Sequence, residues 1–266
     1  MPISFDRAAE SYDQTRGYPP GIQERIGKAL IHAAGATPHS RILELGIGTG
    51  RIALPIIRAG HSYTGIDISP RMMERLRATL LTIPDASQYV QLIEGDITCM
   101  PFADRSFDIV LSVHVYHLIA DRAQAVKEGV RVLARPGVAL NGLDDAIEDP
   151  SAELTDAWIE ILHRLGWSAP SRHERKASHL ISEEWRRLGG EVDQVVDVEG
   201  ESQWIPASHI EGLAKRLWSS TWSVPDDIYP EAVEQIRSWA TRHYGGMLHT
   251  PLPCRYRLLI ERARFS

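Results

Sequence analysis

The stretch Arg41-Ile-Leu-Glu-Leu-Gly-Ile-Gly-Thr-Gly50 constrains the fold of this 266-residue chain more than any other segment. A β-prone apolar run carries an acidic residue near its end and passes at once into glycines at 46, 48 and 50. Glycine reaches backbone conformations closed to other residues, so such a turn can fold sharply and let a ligand lie against the main chain. A helix from Arg51 to Ala59 follows directly. Strand, glycine turn and helix in succession are the opening unit of an α/β fold.

The spacing decides what the turn can hold. A dinucleotide fingerprint reads G-x-G-x-x-G, because a pyrophosphate must rest on the helix N-terminus. Here the pattern is E-x-G-x-G-x-G, and no Lys stands inside the turn to reach phosphates as a P-loop requires. Glu44, at the strand end, is placed to accept hydrogen bonds from a ligand's amino group. A ligand with a cationic amino-acid end and no phosphate fits, and S-adenosylmethionine is such a molecule. Glycines also serve plain strand-to-helix turns, so the following elements carry the argument.

Ser62 to Ile66 is a short β-prone run ending in Asp67, and Ser69-Pro70 supplies an N-cap and a first helical residue. An acidic residue closing the second strand, about 20 residues past the glycine turn, is where such folds hold ribose hydroxyls. Its competing role is that of a turn or capping residue. A third strand, Tyr89 to Ile93, leads into Glu94-Gly-Asp-Ile97, whose carboxylates can accept a bond from an adenine amino group. Ser106 to Val113 is a mainly apolar run, as expected of a central strand covered on both faces.

The ordered segments ELGIGTG, GIDISPRMM, EGDITCMPF, FDIVLSVHVYHLI and VRVLARPGVAL resemble class I S-adenosylmethionine-dependent methyltransferases. The flavour is that of the small-molecule group that includes the quinone-biosynthesis enzymes, and the resemblance covers about residues 5–145. It implies a Rossmann-like, doubly wound seven-stranded sheet with an antiparallel last strand. By position it implies that Glu44, Gly46, Gly48 and Gly50 line the methionine end and that Asp67 binds the ribose. Ile68 and Met72 would flank the adenine, Asp96 and Ile97 bind its edge, and Val113 touch the cofactor from the fourth strand. Ser11-Tyr-Asp-Gln-Thr-Arg16 is similar to the family's N-terminal Y-D-x-x-R segment, making Tyr12 and Arg16 candidates for the carboxylate end. S-adenosylhomocysteine would be the product.

Composition narrows the acceptor. A net charge of −6 offers no general attraction to a phosphate backbone, so nucleic acid is not expected as a partner. Two cysteines, Cys99 and Cys254, without metal-ligand spacing suggest neither zinc nor a redox pair. No apolar signal region opens the chain and no run approaches ~20 apolar residues, so a cytoplasmic protein without a membrane span is expected. The acidic run Asp144, Asp145, Glu148 and Asp149 reads as a solvated loop, and no metal is expected there.

Along the chain, Ile22, Ile26, Ala29, Leu30 and Ala33 share one face of a helix over 21–34. A helix from Arg122 to Leu133 is expected to stop at Arg135-Pro-Gly137, before the fifth strand. The domain reading is 1–145 for the N-terminal arm and cofactor-binding part of the core. Residues 146–266 then carry a helical cap and the last strands of the same core. All seven tryptophans lie in this second part. Ser208 and Glu211 read as a capping box, Pro230 opens a further helix, and Val192–Val198 and Cys254–Ile260 read as the last two strands. Most of the tryptophans are expected to pack helices, with Trp204 and Trp222 as candidates for a pocket that takes an apolar or aromatic small molecule.

A sulfonium methyl is already activated, so the protein's task is to align a nucleophile and exclude water. His114, Tyr116 and His117 follow the fourth strand, where the acceptor would meet the methyl. His117 comes first as a general base and His114 second. The [ND]-P-P-[YF] motif of amino-methylating nucleic-acid enzymes is replaced by Ser112-Val-His-Val115, and Cys99 lacks the Pro-Cys setting of cytosine-C5 enzymes. The expectation is methyl transfer to a small molecule. The alternatives are a non-catalytic cofactor-binding partner subunit and, further off, an RNA or protein methyltransferase.

Overall fold

A computed structural model describes Phe5, Asp6, Ala9, Tyr12 and residues 21–266, without the side chains of 175–178 and 196–197. The strands are β1 (Ile42–Leu45), β2 (Tyr63–Asp67), β3 (Val90–Glu94), β4 (Phe107–Val113), β5 (Leu133–Glu148), β6 (Glu191–Trp204) and β7 (Leu252–Phe265). They form a seven-stranded sheet of order β3-β2-β1-β4-β5-β7-β6. β1 pairs in parallel with β2 on one side and β4 on the other. β3 and β5 extend the parallel run outward, and the last strands run antiparallel. This is the Rossmann-like, doubly wound sheet the sequence implied.

β1 is buried at every position, as a strand covered on both faces must be. Ahead of it, α1 (Ile22–Ala34) buries the predicted stripe of Ile22, Ile26, Ala29, Leu30 and Ala33. α2 (Ala53–Arg58) is shorter than the sequence suggested, because Arg51 and Ile52 still belong to the glycine turn. α3 (Pro70–Leu80) starts as expected, with the Ser69 hydroxyl accepting the Met72 N–H at 3.3 Å. A short α4 (Ala86–Tyr89) leads into β3, and α5 (Arg122–Val132) follows β4. Arg135-Pro-Gly137 does not separate helix from strand, because β5 begins at Leu133 and runs through it. The β4–β5 pairing shifts register there, between Phe107 and Ile109. Such an irregularity accommodates a proline, which has no N–H for the ladder.

The chain divides into two compact units, one made of Met1–Asp145, Ser178–Val198 and Arg257–Ser266, the other of Ala146–Ala177 and Glu199–Tyr256. Three of the four boundaries fall inside β5, β6 and β7, and the other inside the helix Arg172–His179. In the first unit, α8 (Ser182–Arg187) carries Trp185 into the sheet's own core beside Leu43, Leu45, Val110 and Phe265.

The second unit holds α6 (Ala152–Arg164), most of α7 (Arg172–His179), α9 (Pro206–Ala214) and α10 (Tyr229–Tyr244). Leu154, Trp158, Ile161, Leu162, Ile236 and Ala240 form its core, with Trp167, Trp204, Trp218 and Trp239 packed around them. The expected capping box is not used: α9 starts two residues before Ser208, at Pro206. Proline's fixed φ suits the first helical position and sets the start there. Trp204 donates its Nε1–H to His209 Nδ1 at 3.0 Å, and Trp222 donates to the Arg216 carbonyl at 2.8 Å. Both therefore spend their polar atoms on packing inside this unit.

Two buried carboxylates in the first unit contrast. Glu261, on β7, is fully buried and receives the Asn141 Nδ2–H at 2.8 Å, the Ile181 N–H at 3.0 Å and the Ser182 N–H at 3.1 Å, besides the Ser182 hydroxyl. Glu44, on β1, is 2 % exposed and receives the Tyr63 hydroxyl at 2.8 Å. Burial raises the Glu44 carboxyl to about 8, against a partial offset from Tyr63.

Two outcomes follow from these carboxylates. Replacing Glu261 with Ala leaves several buried donors unpaired, each costing about 1–3 kcal/mol. Urea denaturation should show a loss of about 3 kcal/mol or more, and a smaller loss for Glu261→Gln. Glu44 titrates higher in the folded chain than its ordinary 4.5, so the stability tied to its protonated form is present below that value. It is lost as pH rises towards about 8. Glu44→Gln, neutral throughout, should therefore gain stability relative to the parent as pH is raised across that window; a flat difference in urea midpoints would contradict the assignment.

Candidate functional site

The site forms where the parallel strands end. Leaving β1, the chain turns at Gly46, whose N–H donates to the Ile66 carbonyl at 2.8 Å; the Ile47 N–H donates to the same carbonyl at 3.2 Å. Gly46 has φ 68°, and a Cβ there would lie 2.6 Å from Val115 Cγ2. Both the conformation and the close approach therefore require glycine. Gly48 donates its N–H to Asp67 Oδ2 at 2.8 Å, while Asp67 Oδ1 accepts the Ser69 N–H at 2.8 Å. One carboxylate thus joins the glycine turn to the start of α3. Burial raises its pKa, and the backbone hydrogen bonds oppose that shift.

Phe5, Asp6 and Tyr12 meet the same place. Asp6 Oδ1 accepts the Ser69 hydroxyl at 2.6 Å and the Arg71 N–H at 3.1 Å. Phe5 and Tyr12 pack edge to face at 5.8 Å between ring centres. After β3, Asp96 Oδ1 accepts both the N–H and the hydroxyl of Thr98, at 2.8 and 2.7 Å.

A cleft of about 660 Å³, open water included, runs along these strand ends. Phe5, Tyr12, Gly46, Gly48, Asp67, Ile68 and Met72 line it from the arm, the turn and α3. Gly95, Asp96, Ile97, Val113, His114, Val115, Leu118 and Ile119 complete it. Nine of the residues assigned to the cofactor by the sequence thus meet in one cleft: Tyr12, Gly46, Gly48, Asp67, Ile68, Met72, Asp96, Ile97 and Val113. Glu44 and Gly50 do not line it. Glu44 is turned to Tyr63, and a Cβ on Gly50 would lie 2.4 Å from Leu76 Cδ1, so Gly50 serves the packing of the turn on α3. Arg16 lies outside the described residues. Trp204 and Trp222 are not among the lining residues.

The two histidines assigned to catalysis separate. His114 lines the cleft; His117, in the 3-10 turn Tyr116–Leu118, does not, and stacks on His179 with ring centres 3.8 Å apart and planes 14° apart. His114 follows β4 at φ 58°, a left-handed conformation uncommon for a side-chain-bearing residue, and its N–H donates to the Gly142 carbonyl at 3.1 Å. Its Nε2 lies 3.1 Å from Asp144 Oδ2. Burial, reinforced by nearby His114, pushes the His179 imidazole down to about 4, so that ring is neutral at pH 7. The position of His179 beside His114 and His117 escaped sequence reasoning because the fold brings it from far along the chain, with no spacing pattern to mark it.

The acidic run expected as a solvated loop lies instead mostly within β5, with Asp145 buried, and breaks up among different partners. Asp144 faces His114, Asp145 pairs with Arg257 at 2.7 Å, Glu148 with Arg255 at 3.3 Å and Asp149 with Arg172 at 2.8 Å. Among the described residues no group of three or more His, Cys, Asp or Glu side chains is arranged to hold a metal ion. Nor is any described helix long and apolar enough to cross a membrane.

The lining suits a nucleoside without phosphates. Two carboxylates, Asp67 and Asp96, line it together with a glycine turn that allows close approach, and no Lys or Arg is among the described lining residues. Comparison with known proteins agrees. Residues 43–140 match the family model of a methyltransferase domain. The demethylmenaquinone methyltransferase of Tropheryma whipplei is 31% identical over 137 residues, covering 48% of this chain and 55% of that protein. An uncharacterized methyltransferase of Mycobacterium tuberculosis is 36% identical over 168 residues, covering 63% of this chain and 56% of that protein. The chain thus spans a little over half the length of these relatives. Among solved structures, the YcgJ protein of Bacillus subtilis superposes with a TM-score of 0.56 at 19% identity, over 91% of this chain and 98% of that one. The [4+2]-cyclase SpnF does so with a TM-score of 0.57 at 16% identity, over 100% and 97%. Over residues 43–140 the chain is similar to class I S-adenosylmethionine-dependent methyltransferases, and that similarity implies S-adenosylmethionine as the cofactor.

Proposed function

We propose that the protein transfers the methyl group of S-adenosylmethionine to a small molecule, with His114 as the general base. The observation that carries this reading is that His114 lines the same cleft as the cofactor residues. The bound sulfonium supplies an activated methyl group. The chain's residues supply the rest. Asp67 and Asp96 accept hydrogen bonds from the ribose and adenine, and the glycine turn lets the methionine end lie close to the backbone. Val113, Val115, Leu118 and Ile119 give the cleft an apolar wall that keeps water from competing with the acceptor. His114 receives the proton that a hydroxyl acceptor gives up, or that a neutral amine sheds once methylated, as the new bond to carbon forms and the carbon–sulfur bond breaks.

Of the two histidines, the geometry favours His114, because His117 is spent in the stack with His179. The acidic balance of the chain and the demethylmenaquinone methyltransferase among its relatives support a small-molecule acceptor over a nucleic acid. A second reading draws on SpnF, a protein named as a [4+2]-cyclase that shares the fold. In that reading the cleft binds the cofactor without passing on its methyl, since a fold does not fix its chemistry.

Calorimetry and methyl-transfer assays test both readings. Asp67→Ala should weaken S-adenosylhomocysteine binding at least about tenfold, as loss of a charge-assisted hydrogen bond of about 1.5–3 kcal/mol requires. With methyl-labelled S-adenosylmethionine and a panel of hydroxyl and amine acceptors, label should move to a small molecule. His114→Ala should then slow turnover about a hundredfold or more, and His117→Ala far less. Firm cofactor binding with no transfer to any acceptor would favour the second reading.

A further inference from the structure

We infer that Asp144 and His179 form a holder for the His114 ring, Asp144 at its Nε2 edge and His179 at its flank, with His179 fixed in turn by Asn141 and Glu261. This rests on the proposed role of His114 and gives it a mechanism of positioning.

The need for a holder begins in the backbone. A residue with a side chain at φ 58° is strained, and such strain persists only where the surroundings over-determine it. The Gly142 carbonyl, receiving the His114 N–H at 3.1 Å, fixes the main chain. Asp144, two residues further along β5, reaches the side chain. Its Oδ2 is 3.1 Å from His114 Nε2, a nitrogen shielded from solvent. The separation is that of a hydrogen bond, although the ring N–H is not aimed at the oxygen, so the carboxylate acts on the ring through its proximity. Contacts of this kind tighten when a ligand settles the site. A carboxylate there draws the ring proton to Nε2 and leaves the Nδ1 lone pair on the opposite edge, where an acceptor's proton can be received. The same carboxylate stabilises the imidazolium that forms. The proton moves from the acceptor to Nδ1, and no bond is made or broken at Asp144 or His179.

His179 closes the flank. Its ring centre lies 6.1 Å from that of His114, with the planes at 83°, and the ring is also the one stacked on His117. Being neutral, it does not repel a charged His114. Its place does not depend on its own side-chain bonds. Asn141 Nδ2–H donates to the His179 carbonyl at 2.8 Å and is itself seated on Glu261 at 2.8 Å. Glu261 also takes the Ile181 and Ser182 N–H groups just beyond. A polar cluster in the interior thus anchors the segment that carries His179.

The tautomer of His114 tests the holder without any acceptor. Full-length protein with ¹⁵N-labelled histidine, bound to S-adenosylhomocysteine, is read by long-range ¹H–¹⁵N correlation. The expected result is a single Nε2–H tautomer for His114. Asp144→Ala should give a mixture of tautomers, and Asp144→Asn, which keeps an acceptor oxygen, should restore much of the Nε2–H form. His179→Phe should retain it and His179→Ala should not, with S-adenosylhomocysteine affinity unchanged within about twofold in each, since neither residue lines the cleft. An Nδ1–H tautomer in the parent, or one indifferent to Asp144→Ala, would overturn the proposal. If the tautomer responds as expected while no acceptor is ever methylated, the holder stands and the assignment of His114 as a base falls.

Discussion

The Asp67 carboxylate is the interaction on which the rest of the cleft depends. One oxygen holds the Gly48 N–H and the other the Ser69 N–H, so the turn after β1 and the helix after β2 are fixed relative to each other. Gly46 and Ile47 share the Ile66 carbonyl one residue before it, which carries the β1–β2 pairing past the end of the strand. The turn therefore keeps its shape through hydrogen bonds to the neighbouring strand. A ligand meeting Asp67 enters a set of donors and acceptors already in place, and little ordering remains to be done on binding.

Elsewhere in the first unit, buried charge is used in two ways. Glu261 lies among backbone and side-chain donors and organises the loop before α8. Glu44 has the Tyr63 hydroxyl, within a strand closed on both faces, and its carboxyl is pushed towards the neutral form. The difference is one of geometry. β7 faces the N-terminus of a helix, whose N–H groups need acceptors, whereas the N–H groups around Glu44 belong to the parallel ladder. An acidic side chain next to a glycine turn can therefore be part of the sheet's interior as readily as part of a binding surface.

Much of this was legible in the sequence, for reasons that differ by element. β1 to β4 were readable because each is an apolar run closed by glycine, serine or acidic residues, and because parallel strands place all their carboxyl ends on one edge. That rule alone gathers Gly48, Asp67, Asp96 and Val113. The start of α9 was misread because Ser208 and Glu211 match a cap by spacing, while Pro206 had already fixed where the helix begins. Arg135-Pro-Gly137 was misread because a bulge can take up a proline that a regular ladder could not. His179, Asn141 and Glu261 could not be joined from sequence, since their association depends on β7 entering the sheet beside β5.

The tie between Asp6 and the start of α3 has a kinetic consequence. Phe5 lines the cleft, and its neighbour Asp6 is bonded to the Ser69 hydroxyl and the Arg71 N–H, at the helix end that Asp67 also caps. Swinging this part of the chain aside breaks both bonds, at a net cost of about 0.5–1.5 kcal/mol each. Where release from the cleft requires Phe5 to move, residence time is set partly by contacts the ligand never makes, and a change at Asp6 would alter it while leaving every lining group in place.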